Sequence, residues 1–256
     1  MRKIDYKKLS ERKNKIGYDT KFYSSSYKEP LTMLGTIEKD ASGHFGKHTP
    51  EKFRGVKIFD IFKKKNFKSV LDIGAGKMEV TEILFNMGKQ VDVCEYEDSY
   101  YLSQSEIMSD NVNKFYFGDF NEIEFDNNYD AIWASHILEH QLNPNIFLKK
   151  IFSILNEGGY LSIVIPPRKP FIVGGHVSMW NGGLLLYHLV LAGFDCSDIQ
   201  LLQYDYNIGI VLKKKSIVNF PKIRFDLGDL DILKKYFPLD IEEGFNGDIM
   251  NININE

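Results

Sequence analysis

Apolar positions are scattered through the first fifty or so residues and then fall into two alternating rhythms. Val56, Ile58, Phe59 and Phe62 recur at helical spacing. Ser69–Ile73 (SVLDI) is a short β-branched run ending at glycines, and Val80–Met87 returns to helical spacing up to Gly88. Gln90–Glu95 (QVDVCE) predicts a second strand, Ser99–Met108 a helix, and Lys114–Phe117 (KFYF) a third strand. Tyr129–Ala134 (YDAIWA) predicts a strand, Asn145–Leu155 a helix stopped by Gly158-Gly159, and Tyr160–Ile165 (YLSIVI) a strand stopped by Pro166-Pro167. Leu184–Ala192 predicts a helix closed by Gly193, and Ile199–Tyr206 and Ile208–Lys213 two strands with almost nothing between them.

Strands alternating with helices predict an α/β fold, a mostly parallel sheet with helices on both faces. The last two strands differ, because so short a link permits only an antiparallel hairpin. Residues 1–54 read as an N-terminal extension, 55–214 as the domain and 215–256 as an appendage with a helical piece at Leu230–Tyr236.

Composition narrows the class. Apolar residues are 43% of 256, enough for a substantial core, and the net charge of −3 argues against a general nucleic-acid binder. Cys94 and Cys196 do not form a close pair, so neither a disulfide framework nor a cysteine zinc site is expected. The charged N-terminus has no apolar core of a signal peptide, and no apolar run is long enough to span a bilayer. A cytoplasmic setting is the default expectation.

In open α/β sheets ligands bind beyond the carboxyl ends of the strands. After the first strand stands Asp72-Ile73-Gly74-Ala75-Gly76, whose glycines permit a tight turn and close approach of a ligand. A dinucleotide site would also want glycine where Glu79 stands, which favours a different adenosine ligand. Glu95, with Tyr96 beside it, ends the second strand, where a carboxylate can accept both hydroxyls of a ribose. Gly118-Asp119-Phe120 ends the third: an acid for an exocyclic amine and an aromatic ring for a purine face, or a helix cap. Ser135-His136-Ile137-Leu138-Glu139-His140 ends the fourth. His136-x-x-Glu139-His140 matches the inverted zincin expression, but zinc needs a third protein ligand on a suitable helical scaffold. A zinc protease is therefore rejected, and no metal is expected.

Taken in order, Val70–Gly76, Glu95, Gly118–Phe120, Tyr129-Asp130-Ala131 through Leu138-Glu139-His140, and the turn Asn156–Leu161 resemble the class I S-adenosylmethionine-dependent methyltransferases. The resemblance is to their small-molecule and saccharide group, near the ubiquinone-biosynthesis type, and covers roughly residues 55–214. It implies a Rossmann-like seven-stranded sheet and S-adenosylmethionine as cofactor. Gly74, Ala75 and Gly76 would face the methionine part of the cofactor, and Asp72 would help hold its amino group. Glu95 would hold the ribose hydroxyls, Asp119 and Phe120 the adenine, and Ser135 and His136 would pass beneath the sulfonium, with Tyr96 also among the cofactor-binding residues. Glu95 departs from the commoner aspartate, and Lys77–Val80 from the usual residues after the glycines.

The acceptor is expected at the long connection Pro166–Asn181, with Arg168, Lys169, Trp180 and Asn181 as its binding residues. His140 and His176 are the candidate general bases, with His44 and His48 as outsiders in a glycine-rich stretch that would suit a lid or equally an ordinary surface loop. The expected acceptor is a small anionic or sugar-bearing molecule offering oxygen, such as a polysaccharide intermediate. The Asn/Asp-Pro-Pro-Tyr-type motif of many nucleic-acid amino methyltransferases does not follow the fourth strand. Two rivals stand beside this reading. One is a nicotinamide oxidoreductase or sugar epimerase, for which a Tyr-x-x-x-Lys pair is missing in the expected place. The other is a non-catalytic S-adenosylmethionine-binding subunit. Homodimerisation is left open.

Overall fold

The computed structural model describes residues 53–105, 112–168 and 172–254. The elements follow in the order α1 (Val56–Phe62), β1 (Ser69–Ile73), α2 (Glu79–Asn86), β2 (Gln90–Glu95), β3 (Lys114–Phe117), β4 (Tyr129–Ser135), α3 (Pro144–Ile154), β5 (Leu155–Ile165), α4 (Gly182–Ala192), β6 (Ile199–Tyr204), β7 (Asn207–Lys213), α5 (Asp229–Leu233) and β8 (Asn251–Ile252). Local chemistry explains several boundaries. Pro144 occupies the first turn of α3, where its missing N–H costs nothing. Asn181 caps α4 by accepting from the Leu184 N–H, and Gly193 at φ 110° ends that helix.

All eight strands form one sheet in the order β3-β2-β1-β4-β5-β7-β6-β8. Strands β3 to β5 run parallel; β7 pairs antiparallel with both β5 and β6. The hairpin linking β6 and β7 has only Asp205 and Tyr206 at its tip, as its short link requires. The chain leaves β1 outward through β2 and β3 and returns to β4 on the other side of β1. The carboxyl ends of β1 and β4 thus flank the switch point at which such sheets bind ligands.

Alternate strand residues divide between two cores, one on each face. Ala131 and Trp133 of β4 join Val70, Ile58, Phe59 and Phe62 on the face covered by α1 and α2. Ile132 and Ala134 join Leu71, Ile73, Phe147, Leu148, Leu185 and Leu189 on the face covered by α3 and α4. Helix α1 lies close on the sheet because β7 has glycine beneath it: a Cβ on Gly209 would come within 2.8 Å of Ile58.

Two expectations need correcting. The sheet has eight strands, not seven, since Asn251–Ile252 pairs antiparallel with β6. A two-residue strand in an alternating Asn/Ile tail is too short to leave a periodic signal. The helix expected over Ser99–Met108 is a single 3-10 turn, Leu102–Gln104, followed by extended backbone at Ser105; residues 106–111 lie outside the described residues. From residue 215 onward the chain also feeds the larger core, through Leu233, Phe237, Ile241 and Ile249.

Candidate active site

Strand β1 delivers its chain into a turn that only glycine enters without strain. Gly74 and Gly76 have φ of 70° and 54°, and a Cβ on Gly74 would come within 3.1 Å of Ile137, in the turn after β4. The carboxylate of Glu95, buried at the end of β2, closes this turn. One of its oxygens accepts from the Gly76 N–H at 2.9 Å and the other from its own neighbour, the Tyr96 N–H, at 2.9 Å. Each carboxylate oxygen keeps a further lone pair for a ligand hydroxyl. Asp119 stands at the end of β3, half-buried, accepting from the backbone and side chain of Asn121 and engaged by the Tyr96 hydroxyl.

Asp72 is turned inward. Its carboxyl accepts from the Thr81 hydroxyl of α2 at 2.6 Å, and burial pushes its pKa up to about 7, with that hydrogen bond opposing and Glu95 and Glu79 reinforcing the rise. Phe120 is also taken into the core, its ring against Phe147 and Phe125 at 4.8 and 5.5 Å, which leaves little of either face for a purine. This corrects the expectation that Phe120 lies on the adenine.

Beyond β4 the chain turns sharply. His136 adopts φ 53°, a left-handed conformation unusual for a residue with a side chain, and a 3-10 turn follows at Leu138–His140. The turn buries the Glu139 side chain completely and gathers three imidazoles around one of its oxygens. His136 Nδ1 lies 3.2 Å from Glu139 Oε1, and His140 Nε2 and His176 Nε2 each lie 3.9 Å from it. His176 arrives on the connection after β5. That connection is tied to the turn by the Val177 and Ser178 N–H groups, which donate to the Glu139 carbonyl, and by His140 Nδ1 at 2.8 Å from the Gly175 carbonyl. Desolvation lowers the pKa of His176, with Glu139 opposing.

The family described as a methyltransferase domain matches residues 46–199, more than half of the chain. This chain belongs to that methyltransferase family. Among solved structures, a chain of the complex between a Haloferax volcanii methyltransferase activator and its methyltransferase is similar at 15% identity, covering 60% of this chain and 87% of that one, with a TM-score of 0.52. A SAM-dependent methyltransferase from Aquifex aeolicus is similar at 19% identity, 62% and 88% coverage and a TM-score of 0.50. Human N-acetylserotonin methyltransferase in complex with SAM matches at 15% identity over 59% of this chain and 48% of that one, with a TM-score of 0.48. No curated protein matches the sequence significantly.

S-adenosylmethionine is the methyltransferase's cofactor, and the turn after β1 fits it. The positive-φ glycines form a cradle that a Cβ would crowd, and Glu95 and Asp119 place carboxylate acceptors at consecutive strand ends. The methyltransferase's expected acceptor residues fare unequally. Arg168 is exposed and pairs with Asp248 at 3.3 Å. Lys169 lies outside the described residues, as do His44 and His48. Trp180 and Asn181, expected on the acceptor, are used by the fold. The buried Trp180 indole donates to Ser178 Oγ, and Asn181 caps α4 while donating to the Asn246 carbonyl. Sequence reasoning missed Glu139 as the hub of the histidines. The H-x-x-E-H spacing carried that signal, but His176 joins only through the tertiary fold.

Proposed function

We propose that the chain transfers the methyl group of S-adenosylmethionine to an oxygen of a small anionic or sugar-bearing acceptor in the cytoplasm. A surface-polysaccharide intermediate is an acceptor of this kind. The observation that carries the proposal is the convergence of His136, His140 and His176 on buried Glu139, in the turn that follows β4 at the switch point. When bound, the cofactor supplies an electrophilic methyl on a sulfonium, open to in-line displacement. The chain's own residues then align the acceptor, an effect that can be worth about 7–11 kcal/mol, and the histidine cluster promotes loss of the hydroxyl proton. Arg168, exposed just beyond β5, offers a guanidinium for an acceptor phosphate or carboxylate.

Release of S-adenosylhomocysteine, followed over a panel of phosphorylated sugars, nucleotide sugars, phenols and carboxylates, tests the proposal. Turnover on an oxygen acceptor is expected. His176→Ala should lower turnover and Arg168→Ala should raise the acceptor KM, both leaving S-adenosylhomocysteine affinity unchanged. Turnover confined to nucleic acid, protein or an amine would overturn the acceptor class.

A further inference from the structure

Glu139 is fully buried, and neither of its carboxylate oxygens has a hydrogen-bond partner. An ionised carboxylate in that state is costly unless a cation compensates it. Its surroundings are built to hold one. The Gly175 carbonyl can only accept, so His140 Nδ1 carries the proton of that 2.8 Å hydrogen bond. In the neutral ring this leaves Nε2 as a bare lone pair, 3.9 Å from Glu139 Oε1. His176 Nε2 stands at the same distance, and the three ligand atoms of Glu139, His140 and His176 all lie within 4.8 Å of one another. Acceptors facing one another across such a gap are the arrangement a metal ion resolves. An imidazole whose second nitrogen donates to a backbone carbonyl is also the usual outer support of a metal ligand.

The geometry points to a site for one first-row divalent transition metal, of the zinc class, held by Glu139, His140 and His176. Two imidazoles and a carboxylate select such an ion over magnesium or calcium, which prefer all-oxygen shells. Ligands of a tetrahedral zinc at about 2.0–2.1 Å stand about 3.3 Å apart, so the two 3.9 Å separations need to close by roughly half an ångström. His176 can close its own separation, since Ile172–Gly175 before it are exposed, and rotation of the Glu139 and His140 side chains about their own bonds closes the other. His136 lies on the interior side of Glu139, its Nδ1 3.2 Å from the same oxygen and its Nε2 3.0 Å from Asn207 Oδ1, an acceptor that fixes the proton on Nε2 and leaves Nδ1 as one more bare lone pair beside the carboxylate. The side chains of His140 and His176 are 37% and 18% exposed, so the ion has an entry path and keeps an open position.

The site also supplies the third ligand that the H-x-x-E-H sequence lacks, and here Glu139 is itself a ligand. Its catalytic consequence rests on the oxygen-acceptor reading. A hydroxyl bound at the open position would lose its proton to water. Its oxygen–carbon bond would then form as the sulfur–carbon bond breaks, and the sulfonium would leave as a neutral thioether. The imidazoles would then act as ligands rather than as bases.

The test uses the full chain, freed of metal by a chelator, titrated with Zn2+ by calorimetry and with Co2+ by visible absorption. One ion per chain is expected, with the d–d bands of a low-coordinate nitrogen–oxygen site. His176→Ala, on an exposed connection, and Glu139→Gln should each weaken binding at least about tenfold, with the circular dichroism spectrum of His176→Ala unchanged. Absence of saturable one-to-one binding, or binding that His176→Ala leaves untouched, overturns the site. S-adenosylhomocysteine calorimetry on the same samples separates the two readings. Its binding without metal binding overturns this site alone. Metal binding without it upholds the site and overturns the cofactor assignment.

Discussion

Glu95 holds two backbone N–H groups at once, which makes it a brace for the glycine turn, and it is the residue we propose for the ribose hydroxyls. Glu95→Ala should weaken S-adenosylhomocysteine binding by about 1–3 kcal/mol, the range for hydrogen bonds to a charged acceptor. Exposed Glu97 should tolerate the same change. Calorimetry on both variants checks this, and equal losses would contradict it. Asp72 makes a second prediction at this scale. Its folded pKa, about 7, lies above the ordinary carboxylate value, so the folded state prefers the protonated acid. The stability this contributes is complete below the unfolded pKa, near 4, and is lost as pH rises through about 7. A shift of this size corresponds to something on the order of 4 kcal/mol. Asp72→Asn keeps an acceptor for Thr81 and removes the titration. Its urea midpoint should therefore fall less steeply between about pH 4 and 7 than that of the wild type; parallel profiles would show that Asp72 ionises freely.

Among the elements, α1 depends on a vacancy rather than on a contact. The missing Cβ of Gly209 lets Ile58 settle onto β7 while Phe59 and Phe62 close around Trp133 at ring separations of 5.3 and 5.5 Å. Gly209→Val should lift the helix and cost about 1–3 kcal/mol or more, the penalty of overpacking, read as a lower denaturant midpoint. This dependence was only half legible. The helical spacing of Val56, Ile58, Phe59 and Phe62 announced α1, but a lone glycine in a strand run does not say which helix lies on it. The same holds for β8 and for the 3-10 turn after β2. Periodicity reports elements long enough to repeat, and these are not. Strand ends were readable because glycines and acids cluster there, which is why the places of Gly74, Gly76, Glu95 and Asp119 at the ends of β1, β2 and β3 were legible in sequence. Phe120, Trp180 and Asn181 did not separate by type. An aromatic or amide beside a cleft looks the same in sequence whether it faces a ligand, as expected, or the core and a helix end, as found.

For the whole molecule, the cofactor couples to folding. S-adenosylhomocysteine at a hundred times its Kd should stabilise the native state by about 2.7 kcal/mol and raise Tm accordingly, whereas NAD should leave Tm unchanged. A shift with NAD and none with S-adenosylhomocysteine would contradict the assignment. Among the described residues no helix is long and apolar enough to cross a membrane. The chain's two tryptophans lie on opposite faces of the sheet, Trp133 in the core beneath α1 and Trp180 in the other, its indole bonded to the Ser178 hydroxyl that in turn reaches the Glu139 carbonyl. The protein therefore carries two built-in indole fluorophores with separate lines of sight. Trp133→Phe would leave a single indole wired to the His176 connection, so that under excitation beyond the absorption of the fourteen tyrosines its colour and lifetime follow that segment alone.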